Sequence, residues 1–133
     1  MKTINFLEWY KQNILLVEGT LEEYEANHNA TIKVWQFYSQ PFKPEMITEL
    51  FEGWHRVLES KTRIHYANDI TGIRFDYFIH PLDTPKESLM SYSMKGQRYR
   101  INDNMTLNDF ISDCQRAGIE LTWKSEIEHK YFN

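Results

Sequence analysis

The stretch that decides the fold is Thr106–Lys124, which reads TLNDFISDCQRAGIELTWK. Its first part carries apolar residues at the spacing of one helix face, which predicts an amphipathic helix. These residues are Leu107, Phe110, Ile111, Cys114 and Ala117. Thr106 is the predicted N-cap, and Gly118 is expected to end the helix at positive φ. After Gly118, apolar and polar residues alternate through IELTWK, which predicts a half-buried strand packed with the helix against a shared sheet.

Outward from this stretch, patterning predicts helices at residues 4–17, 21–27 and 45–60, and a strand at 31–38. Two hairpins follow, 62–66 with 72–80 and 89–94 with 97–101. The element order is ααβαββββαβ. We expect an α+β two-layer sandwich, with a mostly antiparallel sheet of five to six strands and three to four helices.

The expected organisation is one domain over residues 1–133, in which 125–133 form a flexible or partner-contacting tail. Its core should contain Leu50, Phe51, Trp54, Phe110, Ile111, Cys114, Ile119 and Leu121. The single cysteine allows neither an internal disulfide nor a cysteine zinc cluster. No apolar run is long enough for a membrane span. We expect a cytoplasmic protein, or a virion protein if the chain derives from a phage.

Chemistry could reside in the polar residues around the first hairpin. These are His65, Asp69, Asp76, His80 and Asp83. Histidines and carboxylates on adjacent strands could act as general acid and base, or bind a metal ion. Asp76 and His80 are roughly 13 Å apart along one strand and cannot share an ion directly. A solvated sheet face is therefore the preferred interpretation, and we expect no metal, no cofactor and no catalytic residue.

Basic and aromatic residues alternate at the second hairpin, in Arg98, Tyr99 and Arg100. Stacking combined with phosphate contacts would suit a single-stranded nucleic acid. The same alternation is typical of a strand with one exposed and one buried face. With a formal net charge of −4, nucleic-acid binding is not the expected function.

The unusual feature of the composition is its aromatic content, with 8 Phe, 8 Tyr and 4 Trp. Alternation along the predicted strands places Trp35, Phe37 and Phe78 on the sheet face opposite the main helices. Large exposed apolar patches mark binding sites, so this face is the candidate partner-binding surface. The alternative is that the N-terminal helices cover these rings.

A short, acidic, aromatic-rich chain without a catalytic signature resembles many small phage and mobile-element proteins in general character. The expected function is therefore non-enzymatic: a protein–protein interaction or assembly component of a phage or mobile element, with a protein partner or a homo-oligomer. The alternatives are an inhibitor of a host protein, a small enzyme using His65, Asp76 and His80, and a nucleic-acid-binding module using the Arg98–Arg100 strand.

Overall fold

The computed structural model describes residues 2–14, 19–59, 63–79, 90–94, 97–100 and 105–132. Three helices come first: α1 (Phe6–Asn13), α2 (Leu21–Ser39) and α3 (Met46–Leu50). Five strands follow: β1 (Trp54–Glu59), β2 (Arg63–Asn68), β3 (Arg74–Ile79), β4 (Met90–Met94) and β5 (Gln97–Arg100). Helices α4 (Leu107–Arg116) and α5 (Ser125–Tyr131) complete the order.

The strands form an antiparallel meander in which each pairs with its neighbour in sequence. A register shift between Arg56 and Leu58 marks a bulge in β1. Side chains are described on three of these strands, β1, β2 and β3. On β2, Ile64, Tyr66 and Asn68 are buried, whereas the alternating His65 and Ala67 are half-buried. One face of β2 therefore packs on the core.

The core lies where α2, α4 and the segment after α4 meet the inner face of this sheet. The ring of Phe110 in α4 stacks on Phe42 with centroids 4.4 Å apart, and its edge meets Phe75 of β3 at 5.7 Å. Of the eight predicted core residues, seven are buried and Trp54 is half-buried. Aromatic packing thus joins the helices to the sheet.

Helix α4 is confirmed, together with both of its predicted ends. The Thr106 hydroxyl accepts from the Asp109 backbone N–H at 3.2 Å, and the Asp109 carboxylate accepts from the Thr106 N–H at 2.9 Å. This reciprocal capping box satisfies two N-terminal donors. Gly118 follows the helix at φ 72°. Only a residue without Cβ adopts that conformation without strain.

Within the α+β class, the predicted architecture is wrong. The observed order is αααβββββαα, not ααβαββββαβ, and the described residues form five helices, not three or four. The two other predicted strands, at 31–38 and 119–124, are not strands of the sheet. Along the chain, the described strands instead follow one another without interruption, and the described helices lie before and after them. This is an α+β arrangement.

The largest correction concerns residues 20–38, where a short helix and a strand were predicted. A single helix of 19 residues, α2, occupies this stretch. Its helical phase brings Val34, Phe37 and Tyr38 to one face, where all three are buried. Burial of three large side chains against α4 and α5 outweighs the weak strand preference of the β-branched and aromatic residues.

The predicted helix at 45–60 is also wrong beyond its first turns. Helix α3 ends at Leu50, and Gly53 at φ 84° turns the chain into β1. The Gly53 carbonyl accepts from the Asp69 N–H at 3.0 Å, and the Asn68 side chain donates to the Glu52 carbonyl at 3.0 Å. These contacts from the β2–β3 turn hold the chain in an extended path that a continued helix could not take.

Residues 119–124 are extended, but they make only isolated bridges. Lys2 pairs with Thr122 and Phe51 pairs with Trp123. The Leu121 carbonyl accepts from the Thr3 N–H at 2.8 Å, and the Lys124 N–H donates to the Leu50 carbonyl at 2.9 Å. The segment thus lies between the start of the chain and the end of α3. Beyond it, where a flexible or partner-contacting tail was predicted, Ile127 and Tyr131 of α5 and the following Phe132 pack against the core.

Candidate functional site

Among the described residues, helix α2 is anchored in the core near its C-terminal end. Its C-terminal half carries the buried residues Val34, Phe37 and Tyr38. Residues 21–26 are all exposed, and between 21 and 33 only Asn27 and Thr31 are half-buried. The Thr20 hydroxyl caps the free end by accepting from the Glu23 N–H at 3.3 Å. Acidic residues in the first turn further stabilise the helix there. The N-terminal half of α2 therefore has little cover from the part of the chain that the structure describes.

A stripe of large side chains, apolar except for His28, runs along this helix, and each of its members is exposed. We call it the α2 stripe; its members are Leu21, Tyr24, His28, Ile32 and Trp35. Leu21 is 73% exposed, Tyr24 68%, Ile32 42% and Trp35 50%. At 100° per residue these positions fall within about 80° of the helix circumference, along about 21 Å of its axis. Such a continuous exposed apolar strip is unusual for a surface helix and typical of a contact surface.

Ring contacts order the side chains at both ends of the α2 stripe. The Trp35 indole meets the Phe6 ring of α1 edge-on at 4.8 Å. The rings of Tyr24 and His28, one turn apart, are parallel with centroids 6.4 Å apart. Side chains that are already held in one rotamer lose less conformational entropy when they enter an interface.

A cleft of about 430 Å³ lies beside the stripe, between α1 and α2. Its lining residues are Tyr10, Ile14, Gly19, Tyr24, Asn27, His28 and Thr31. Two of these, Tyr24 and His28, belong to the α2 stripe as well. The cleft and the stripe therefore form one continuous surface on the free half of α2.

Two His–Asp pairs occupy the hairpin region that was predicted as a possible enzyme site. His65 Nδ1 and Asp76 Oδ1 are in contact across β2 and β3, in agreement with their direct cross-strand register. His55 Nδ1 lies 3.3 Å from Asp69 Oδ2, with both side chains well exposed. A carboxylate can orient an imidazole for proton transfer. Within the described residues, no three His, Cys, Asp or Glu side chains are grouped so as to hold a metal ion.

His80 and Asp83 lie outside the described residues, so the enzyme hypothesis for this region stays a prediction. Arg98, Tyr99 and Arg100 belong to β5, which pairs only with β4 in the described sheet. Their backbone positions are described and their side chains are not. The nucleic-acid hypothesis likewise stays a prediction.

The three residues predicted to share a partner-binding face are not brought together on one sheet. Trp35 and Phe37 are two positions apart on α2, about 200° around the helix. Trp35 is half-exposed on the α2 stripe, whereas Phe37 is 5% exposed in the core. Phe78 lies in β3 opposite Arg63 and Ser91, and its side chain is outside the described part of the structure.

Leu21, Tyr24, His28 and Ile32 were missed as candidate site residues. The signal for them is the spacing 21, 24, 28, 32 and 35, which follows one helix face. The polar residues Asn27–Asn29, which lie between the predicted short helix and the predicted strand at 31–38, obscure this spacing.

No family model, curated protein or solved structure matches the chain. Among helices in the described part of the chain, none combines the length and apolar character needed to span a bilayer.

Proposed function

We propose that this chain is a small non-enzymatic protein–protein interaction or assembly component, and that the α2 stripe is its contact surface. One observation carries the proposal: Leu21, Tyr24, Ile32 and Trp35 are all more than two-fifths exposed along one face of α2, whereas Val34, Phe37 and Tyr38 of the same helix are buried. Helices with such a stripe bind grooves or other helices through side chains at i, i+3, i+4 and i+7.

Trp35 is the residue that the sequence prediction and this proposal share. Trp and Tyr dominate the binding energy of interfaces because they bury a large area with few rotatable bonds. Trp35 and Tyr24 supply both types on the stripe. The interface is non-covalent and needs no disulfide, so we expect the chain to act in the cytoplasm, or in a virion if it derives from a phage.

The test compares the size of the complex formed in extracts of cells that express the chain. Leu21→Ser/Trp35→Ser removes two residues of the stripe. The control Ile70→Ser/Val57→Ser removes two apolar residues of matched exposure, 75% and 56%, from the hairpin region. We expect the wild type and the control to elute from a sizing column above the 16.1 kDa of the monomer, and the stripe variant to elute as a folded monomer.

Two results would contradict the proposal. One is elution of the wild type as a monomer in the extract. The other is loss of the complex in the control variant but not in the stripe variant, which would move the contact surface to the hairpins. Circular dichroism of each purified variant verifies that the helices remain.

A further inference from the structure

We propose that the outer face of the β-sheet binds a single-stranded nucleic acid, because the strand order places four arginines and Phe78 together on that face. The outer face is the side of the sheet opposite the buried residues Ile64, Tyr66 and Phe75. It is a different surface from the α2 stripe, and this inference does not depend on the proposed function.

Alternation along β2 and β3 separates the two faces of the sheet. Ile64 and Phe75 are buried in the core, so the residues that alternate with them lie on the outer face. Three of these have described side chains. Arg74 is exposed, and the half-buried His65 and Asp76 are in contact across the two strands. The outer face thus carries charged side chains that solvent reaches.

Two rows of residues cross the outer face from β2 to β5, since directly opposed residues of antiparallel strands lie on the same face. The first row is Arg63, Phe78, Ser91 and Arg100. The second row, two residues further along each strand, is His65, Asp76, Ser93 and Arg98. Arg74 follows in β3, opposite Ala67.

The four arginines come from both hairpins. Patterning of the sequence brings out only Arg98 and Arg100, because they alternate within one strand. The meander adds Arg63 and Arg74 from the other end of the sheet. At about 4.8 Å between neighbouring strands, Arg63 and Arg100 are about 14 Å apart with Phe78 between them.

The charge of this face is opposite to that of the whole chain. Among the paired residues of the outer face in β2–β5, Asp76 is the only carboxylate. Four arginines against one aspartate give these positions a formal charge of +3, although the chain as a whole carries −4. A local excess of cations on a sheet attracts a polyanion regardless of the net charge.

Phe78 favours a single-stranded nucleic acid over other polyanions. Sheets that bind single strands combine cations, which contact phosphates, with an aromatic ring on which an unpaired base stacks. The row Arg63, Phe78, Ser91 and Arg100 supplies both types of residue. A polyglutamate chain or an anionic membrane would attract the arginines equally, but neither offers a planar base to the ring.

The test titrates the purified full chain against fluorescein-labelled probes: a uridine dodecamer, a thymidine dodecamer and a duplex of 12 base pairs. Fluorescence anisotropy is measured at several salt concentrations. We expect a dissociation constant of about 1–100 μM for at least one single strand at physiological salt. The duplex should bind about tenfold more weakly, because its bases are already stacked on one another. With four phosphate contacts, the slope of log K against log salt should be about −3.

Two arginine variants divide the face between the hairpins. Arg63→Gln/Arg74→Gln and Arg98→Gln/Arg100→Gln should each weaken binding by at least about tenfold and bring the slope to about −1.4, since each removes two contacts. Lys11→Gln/Lys43→Gln is the matched control, because it removes the same formal charge from exposed residues outside the sheet. It should leave the affinity within about twofold of the wild type.

Phe78→Leu separates stacking from charge. It should weaken binding about tenfold and leave the salt slope unchanged, because it removes an aromatic ring and no cation. Thermal melts followed by circular dichroism verify that every variant is folded. The two arginine variants lie on different hairpins, so either one that folds tests the face.

Several results would overturn the inference. Failure of both single strands to bind at 100-fold the expected constant, or binding of the duplex as tightly as the single strands, would exclude a single-strand site. An equal loss in the lysine control would mean that the outer face has no special part in binding. If a glutamate dodecapeptide or phosphatidylserine vesicles compete as well as an unlabelled oligonucleotide at equal charge, the face recognises charge alone. Binding to one dodecamer only would support the inference and identify RNA or DNA as the ligand.

Discussion

The ring of Tyr131 in α5 stacks on the ring of Phe37 in α2, with centroids 4.0 Å apart and planes tilted by 23°. Phe132 meets the same Phe37 ring edge-on at 6.2 Å. The C-terminal helix is thus held to α2 chiefly by aromatic contacts, which favour offset and edge-on arrangements of this kind. Phe37 therefore belongs to the core, although it lies two residues from Trp35 on the surface.

This contrast predicts unequal effects of two substitutions on the same helix. Phe37→Ala should lower the free energy of unfolding by about 3–5 kcal/mol, because it leaves a cavity under α5. Trp35→Ala removes a half-exposed ring in contact with Phe6 and should lower it by about 1 kcal/mol. Urea titrations followed by circular dichroism measure both. Equal losses would mean that Trp35 is as much part of the core as Phe37.

Burial of Tyr38 makes the fold sensitive to alkali. Its hydroxyl donates to the Ile4 carbonyl at 2.5 Å, and burial, followed by the nearby negative charge of Glu8, raises the pKa of Tyr38. The folded state thus holds this proton more tightly than the unfolded chain does. Stability from Tyr38 is complete below about pH 10, the ordinary tyrosine pKa, and falls as the pH rises above it.

Tyr38→Phe tests this linkage. The variant should lose about 1 kcal/mol near neutral pH, with the hydrogen bond to Ile4. Between about pH 10 and 12 its denaturation midpoint should fall less steeply than that of the wild type. Parallel pH profiles would assign the alkaline loss to other groups.

Cys114 is predicted to be unreactive in the folded chain. It is 1% exposed on the core face of α4, and burial, followed by the negative charge of Asp113, raises the pKa of the thiol. The thiolate is the nucleophile, so a water-soluble disulfide reagent should modify Cys114 only after unfolding. Absorbance of the released thiol, with and without denaturant, measures the difference. Rapid stoichiometric labelling of the native chain would show that α4 opens readily.

Gly53 and Gly72 form a matched pair for separating backbone strain from steric contact. Both have positive φ, 84° and 74°. A Cβ added at Gly53 would lie 2.8 Å from Asn68 Oδ1, whereas one added at Gly72 would meet nothing within 4 Å. Asn68 cannot move easily, because its Oδ1 accepts from the Ile70 and Thr71 N–H groups at 2.9 and 3.0 Å.

Gly72→Ala should therefore cost about 1 kcal/mol from strain alone. Gly53→Ala should cost at least about 1 kcal/mol more, because it also displaces the buried Asn68. Thermal melts of the two variants measure this difference directly. If the two melts coincide, the close approach of Gly53 to Asn68 does not contribute to stability.

Parts of the fold could be predicted because local and tertiary preferences agree there. In α4 the cap, the apolar face and the terminal glycine all indicate one helix. The antiparallel pairing of β2 with β3 likewise follows from alternating residues on both sides of a turn. In such segments no competing conformation buries the apolar residues equally well.

Elsewhere, local pattern and tertiary packing disagree. Residues 54–59, WHRVLE, continue the helical spacing of α3, yet β1 forms because Gly53 turns the chain and β2 supplies an edge. In α2, Asn27–Asn29 favour a break, yet the helix passes through them. Thr31 donates its hydroxyl proton to the Asn27 carbonyl at 2.7 Å, which satisfies a polar group inside the helix. Both outcomes depend on contacts distant in sequence.

The candidate site could be predicted only in part for the same reason. Trp35 could be singled out because the chain is rich in aromatic residues. The other members of the α2 stripe can be identified only if this stretch is recognised as one unbroken helix. A strand assignment pairs Trp35 with Phe37, whereas the helix pairs it with Tyr24, His28 and Ile32. When a helix is mistaken for a strand, its residues are sorted onto the wrong faces. Trp35 is then still predicted to lie on the surface, but the residues predicted to lie beside it are the wrong ones.

The extended segment 119–124 also determines when the protein can finish folding during its synthesis. Its backbone bonds reach Thr3 at one side and Leu50 and Glu52 at the other. During synthesis Phe37 and Phe51 therefore lack the cover of Trp123 until residues 119–124 have left the ribosome. Contacts so distant in sequence slow folding. The nascent protein is accordingly most exposed to aggregation in the interval before Trp123 emerges.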